Sequence, residues 1–201
     1  MKVVADISMS LDGFVTGPDP DLSHGLGRDG EPLHTWAISS DDPVDASVLK
    51  EATERSGAVV MGRRLFDIID GPHGWSDEMG YGASHAATPA FFVVTHAAPA
   101  PEDVRLDLDF TFVTDGVAAA IERARSAASA AGAGDVVIMG GGDVVRQAVD
   151  QELADELVIH LSPIILGAGT PLFSGSARRE LTQLSAQVSS TATHITYRVG
   201  H

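Results

Sequence analysis

Residues 3–12 alternate strictly. Val3, Ala5, Ile7, Met9 and Leu11 fall on one side of an extended chain, with Val4, Asp6, Ser8, Ser10 and Asp12, mostly polar, on the other. That period of two predicts a strand with one face against a core. From Gly13 to about Ser40 the periodicity disappears under Gly, Pro and Asp (GFVTGPDPDLSHGLGRDGEP), predicting an extended surface loop of the kind that often carries binding residues. Val44, Val48 and Ala52 then recur at helical spacing across 45–55, with Lys50 and Glu51 outward. AVVM at 58–61 reads as a short buried strand reached through Gly57. RRLFDIID supplies one or two helical turns closed by Gly71-Pro72, and 72–89 has no period and predicts a second loop.

The second half repeats this grammar. AFFVVT (90–95) and TFVT (111–114) are strand-like, and Val117, Ile121, Ala124 and Ala128 mark the apolar stripe of an alanine-rich helix stopping near Gly132. DVVIMGGGDVVRQAVD (135–150) reads as strand, glycine turn and helix, with Asp143 the expected N-cap. ELVIHLSPIILG (156–167) is a further strand ended or bent at Pro163. A loop follows over 167–180, and Leu181 to Val199 holds two alternating segments suited to an antiparallel pair. Strands alternating with helices, then following one another, predict a single α/β domain over 1–201. Its sheet should be mixed and mostly parallel, flanked by helices and finished by antiparallel strands.

Composition narrows the function. A net charge of -15 from 28 acidic and 13 basic residues repels a nucleic-acid backbone over most of the surface, so no nucleic-acid partner is expected. No apolar run approaches the roughly 20 residues of a membrane span. The opening MKVVADISMS lacks a signal peptide's apolar core, so a cytoplasmic location is expected. Cysteine is absent, which excludes thiolate nucleophiles and cysteine metal sites.

Three junctions carry candidate chemistry. Gly140 to Gly142 allow a phosphate or flat ring close to the backbone at a helix start. They do not form the dinucleotide fingerprint, which needs glycine where Val145 stands, nor a P-loop, which needs a following Gly-Lys-Ser/Thr. AVVMGRRLF places Gly62, Arg63 and Arg64 at a second strand-to-helix junction, and arginine's forked donors suit phosphate. VVTH places Thr95 and His96 at a third strand end. Together the three suit a ligand with several phosphates, such as a dinucleotide.

The order SLDG (10–13), VVMGRRLF (59–66), VVTH (93–96), IMGGGDVV (138–145) and DELVIHLSPIILGAGTPLF (155–173) resembles the dihydrofolate reductase superfamily. Within it, the sequence is most similar to the branch of the riboflavin-biosynthesis reductase domain. The resemblance implies a dihydrofolate reductase-like three-layer fold holding NADPH extended across the strand ends. Gly62, Arg63, Arg64 and Leu65 match the family's segment for the pyrophosphate and adenosine phosphate, and Thr95 and His96 its adenosine-side strand. Gly140, Gly141, Gly142, Asp143, Val144 and Val145 match its pyrophosphate and nicotinamide-side loop, while Ala5 and Gly13 fall where the first strand and its loop approach the nicotinamide. Leu65 departs from the usual Thr, which reduces that contact to a backbone N–H.

On the substrate side the resemblance offers two carboxylates as catalytic candidates. Asp12 lies in SLDG, which faces the substrate pocket in the riboflavin branch. Asp41 follows Trp36 at the five-residue spacing of dihydrofolate reductases, although Asp41-Asp42-Pro43 also reads as a helix cap. Riboflavin-branch reductases usually carry Glu-Gly-Gly where this chain has Gly140 to Gly142. The expected activity is therefore NADPH-dependent hydride transfer to a small heterocyclic or ribosylamino-pyrimidine-like substrate. The alternatives are a dihydrofolate or pterin reductase, or a nucleotide-binding protein without turnover. A homodimer is expected by the same resemblance, with VIHLSPIIL as candidate edge or interface.

Overall fold

In a computed structural model the described residues are 1–72, 74, 75, 80, 89–132 and 134–200. In chain order they form β1 (Val3–Ser10), β2 (Phe14–Thr16), a 3₁₀ turn (Glu31–His34), α1 (Thr35–Ile38), α2 (Pro43–Glu54), β3 (Ser56–Gly62), α3 (Arg63–Ile69), β4 (Ala90–Val94) and β5 (Phe110–Val113). They continue with α4 (Val117–Ala130), β6 (Asp135–Met139), α5 (Gly142–Asp150), β7 (Glu156–Ser162), β8 (Thr170–Pro171), β9 (Leu181–Val188) and β10 (Thr193–Val199).

Among the described residues eight strands make one sheet in the order β5-β4-β3-β6-β1-β7-β10-β9. The neighbours from β5 through β7 are parallel; β10 runs against β7, and β9 against β10. The three-layer α/β architecture with antiparallel C-terminal strands is the one expected.

The period of two sorts the layers. Val3, Ala5, Ile7, Val136, Ile138, Leu157 and Ile159 turn to the face covered by α4 and α5, in the main core. Ala120, Ala124 and Ala128 on α4 are completely buried there; their small side chains let the helix lie close to the sheet, where each buried valine beneath contributes about 1.5–3 kcal/mol. The opposite face divides in two. Val59, Met61, Phe91 and Val93 pack under α3 with Phe66, whose ring meets Phe110 edge-on at 5.1 Å. Trp36, Val48 and Ala192 form a smaller cluster beneath α1 and α2.

Several boundaries differ from expectation. β1 stops at Ser10 rather than Asp12, because Gly13 N donates to Ser10 O at 3.0 Å and Phe14 N to Ser10 Oγ at 2.9 Å, closing a turn that leaves Leu11 outside. The segment 13–40 is not structureless: it contains β2, the 3₁₀ turn and α1, and is tied internally by Gly17 N to Leu26 O at 2.7 Å. β2 pairs with β8 from the 167–180 segment, so two long loops are zipped together. The predicted 72–89 loop lies largely outside the described residues. VIHLSPIIL is no edge: β7 sits between β1 and β10, and the edge strand at that end is β9, exposed along its whole length.

Candidate functional site

β3, β4 and β6 lie side by side in parallel, so Gly62, Thr95 and Gly140 arrive at one end of the sheet. The glycine turn is shaped by backbone that only glycine adopts readily: φ is +68° at Gly140 and +77° at Gly141. Gly140 N donates to Asp6 O at 3.0 Å, anchoring the turn to β1. A Cβ on Gly62 would lie 3.1 Å from Val144 Cγ2, and one on Gly141 3.5 Å from Gly62 N. Two bare backbones thus meet at the start of α5, whose first N–H groups have no partner within the helix.

Asp143 is not the N-cap; Gly141 holds that position, and the Asp143 carboxylate is instead bonded by Arg146 and by Gln147 Nε2 at 2.7 Å. The reason is register: α5 begins two residues earlier, placing Asp143 inside the first turn, where its charge favours the positive helix end. Val144 and Val145 are buried and anchor the helix.

The second junction divides its two arginines. Arg63 is tied down, donating from Nε to Asp67 at 2.7 Å and from Nη1 to Ala97 O at 2.9 Å. Arg64 is exposed and among the described residues forms no ion pair. Leu65 packs towards Phe66's cluster, its Cδ2 3.7 Å from where a Gly140 Cβ would be. Thr95 is buried, with its hydroxyl donating to Ala97 O at 2.8 Å, while His96 stands exposed beside it. Ala5 is completely buried under α5, and Gly13 (φ +90°) has open space around its Cβ direction.

The two carboxylates proposed for catalysis differ in setting. Asp12 accepts from Ser10 Oγ at 2.7 Å, Leu166 N at 3.1 Å and Gly167 N at 2.7 Å, pinning the turn after β1 to the segment beyond β7. The hydrogen bond from Ser10, helped by those backbone donors, holds its carboxyl below the usual range. Asp41 is exposed, and its neighbour Asp42 caps α2 by accepting from Val44 N at 2.9 Å.

The sequence reading missed a buried polar chain on the face of β1 opposite the main core. Asp6 Oδ1 lies 2.9 Å from His160 Nε2, His160 Nδ1 lies 2.7 Å from His194 Nδ1, and His194 Nε2 lies 2.7 Å from Asp45 Oδ1. Sheet register builds it: His194 faces His160 across β10 and β7, and Asp6 lies on the adjacent β1. Trp36 stacks on His160 with ring centroids 3.9 Å apart and donates from Nε1 to Ser8 Oγ at 2.9 Å. Ser40 and Thr191 hydroxyls donate to Asp45 Oδ2 at 2.5 and 2.6 Å. Burial acts to raise the Asp45 carboxyl, but these donors with Ser189 and His194 overcome it and bring it down to about 2. Burial lowers His194, against the opposing pull of Asp45. His34, beside the chain, is lowered to about 4 by burial, reinforced by His160 and opposed by Asp6. A visible signal did exist: His160 interrupts an apolar strand, and Asp6, Ser8 and Ser10 give a central strand a polar face.

Among the described residues no cluster suits a metal ion, and no helix is long and apolar enough to cross a membrane. The sequence profile of the RibD C-terminal domain matches residues 1–195. No curated protein matches. Among solved structures, a protein from Shewanella sp. PV-4 attributed to riboflavin biosynthesis is 23% identical with a TM-score of 0.68, both chains being covered 100%. A pyrimidine reductase-like protein of Corynebacterium diphtheriae is 18% identical, with TM-score 0.61 over 100% of this chain and 92% of its own. A diaminohydroxyphosphoribosylaminopyrimidine deaminase/5-amino-6-(5-phosphoribosylamino)uracil reductase of Thermotoga maritima is 15% identical, with TM-score 0.61 over 99% of this chain and 56% of its own. These likenesses establish a shared fold.

Proposed function

The chain belongs to the RibD C-terminal domain family, and from that membership and the site's geometry we propose an NADPH-dependent reductase of a small heterocyclic or ribosylamino-pyrimidine-like substrate. The observation that carries the reading is the close approach of Gly62 to the Gly140–Gly142 turn. That junction is a backbone cradle at parallel strand ends, where a side chain on either glycine would intrude. When bound, the reduced nicotinamide supplies a hydride to a C=N or C=O carbon.

The protein's own contribution is placement and charge. Backbone N–H groups at the start of α5 favour a pyrophosphate, and Arg64, exposed and without an ion pair among the described residues, supplies charge for a further phosphate. Arg63 holds the junction's shape through Asp67 and Ala97. Holding donor and acceptor carbon in register is the larger part of catalysing such a transfer. Gly140 offers no carboxylate to the substrate, so polar recognition falls to Asp6 and the groups around it. For the assembly we propose a homodimer formed along β9, where Leu184 and Val188 are exposed on the sheet edge.

The test is a titration of NADPH and NADH followed by nicotinamide fluorescence. It is followed by candidate aminopyrimidine and pterin substrates with absorbance read at roughly 340 nm. Saturable NADPH binding and oxidation by an aminopyrimidine are expected. Absence of NADPH binding overturns the cofactor assignment; oxidation by pterins alone overturns the substrate class; binding without oxidation by any candidate overturns turnover.

A further inference from the structure

The buried chain contains three contacts in series, and each needs one proton between its heteroatoms. Two neutral imidazoles bring two N–H protons, and two ionised carboxylates bring none. The third link therefore requires one additional proton. Its place follows from the two ends. Asp45 is buried to 1% side-chain exposure and accepts from two hydroxyls at Oδ2, so it is the anionic end and accepts a hydrogen bond from His194 Nε2–H. His194 then accepts at Nδ1 from His160 Nδ1–H, and the additional proton lies between His160 Nε2 and Asp6 Oδ1. Asp6 is the outer end, its side chain 19% exposed against 1% for His160. Asp6 also shares its strand position with Met139, the residue before Gly140, and its carbonyl holds the Gly140 amide.

We propose that Asp6 delivers the proton of the reduction, drawing it from its shared link with His160, which His194 and Asp45 hold in place. This rests on the reductase reading above. As the substrate carbon gains a hydride, the electron pair of its C=N or C=O bond moves to nitrogen or oxygen. That atom takes the proton that His160 passes through Asp6, leaving an amine or alcohol, a neutral His160 and an Asp6 carboxylate, and a proton from solvent then restores the link. Stacking on Trp36 at 3.9 Å between ring centroids fixes the plane of the His160 ring. The groups facing the link are Asp6 from β1, His34 from the 3₁₀ turn, Trp36 from α1, Asp45 from α2, His194 from β10 and the Ser8 hydroxyl. The neutral state of His34 leaves no second cation competing for Asp6. His194 and Asp45 are positioning residues, acting through His160.

Two measurements test the proposal. In histidine-labelled protein without cofactor, with the eight rings assigned by single substitutions, nitrogen NMR at neutral pH should show His160 protonated at both nitrogens and His194 neutral and protonated at Nε2. Asp6→Asn, which keeps a hydrogen bond to His160 but has no transferable proton, should abolish the doubly protonated signature. The same variant should slow single-turnover hydride transfer about 100-fold or more, with NADPH affinity unchanged within twofold, and Asp6→Glu should restore part of the rate. A neutral His160 ring beside a neutral His194 ring in the unaltered protein, or an Asp6→Asn variant of full rate, overturns the relay. Failure of NADPH to bind the unaltered protein would strike the cofactor reading instead, while the nitrogen spectrum still reads the relay.

Discussion

The amide of Gly140 donates to the carbonyl of Asp6 at 3.0 Å, so the glycine turn proposed to cradle a ligand's phosphates and the outer end of a buried polar chain share one hydrogen bond. A change in either is transmitted to the other by backbone rather than by a flexible side chain. Rigid coupling of this kind keeps groups that act on different atoms of one substrate at a fixed separation.

Gly141→Ala should be harmful twice. At φ +77° an alanine is strained by about 1–2 kcal/mol, and its Cβ would stand 3.5 Å from Gly62 N, in the approach to the cradle. Thermal melting should fall by several degrees, and NADPH binding measured by fluorescence should weaken at least tenfold. Unchanged affinity at lowered melting temperature would remove the turn from the ligand site.

The arginines should separate. Arg64→Ala should weaken NADPH much more than NADH and leave the melting temperature unchanged, because among the described residues Arg64 has no ion pair to lose. Arg63→Ala removes its bonds to Asp67 and Ala97 and should cost about 0.5–1 kcal/mol of stability, lowering affinity for both nucleotides. Equal losses for NADPH and NADH in Arg64→Ala would deny it the extra phosphate.

The strand-to-helix junctions were open to reading in the sequence alone. Glycine at a strand end before a helix is a local pattern, and Gly62 and Gly140 to Gly142 announce their junctions within a few residues. The strands follow because burial on one or both faces leaves a period in the chain. The relay left only a trace. Asp6 and His160 are 154 residues apart, and His160 and His194 meet through the register of antiparallel strands, which no local period encodes. Asp45 was hidden in a helix whose apolar stripe of Val44, Val48 and Ala52 drew attention to its neighbours. The choice of Asp143 as cap failed by two residues of register, the scale at which helix ends are set by tertiary contact.

Acid should destabilise the fold in two stages. His34 and His194 have lowered affinity for protons in the folded state, so the unfolded chain binds more protons below about pH 6.5, and stability is lost as pH falls from there towards 4. Asp45, at about 2 when folded, stabilises above its ordinary carboxylate range, and that contribution is lost as pH falls through 4 towards 2. Melting temperature against pH should show the first slope, and His34→Gln should flatten it. An unaltered slope in that variant would assign the loss elsewhere.

The edge strand offers a test of assembly. Leu184→Lys with Val188→Lys places two charges on β9, whose residues are exposed in the single chain, so the fold should be retained. Sedimentation should shift from dimer to monomer. A dimer that survives both charges would move the interface away from this edge.

β10, the strand that reverses direction, has a consequence for the order in which the molecule comes into being. A ribosome delivers β1 with Asp6 first, then Asp45, then His160, and His194 only when the last hairpin leaves the exit tunnel. Until that hairpin docks, the inner histidine contact has no partner and the carboxylate in α2 faces an empty space on the sheet. The glycine junctions proposed to cradle a nucleotide are thus synthesised before the proposed proton chain can close, which waits for β10.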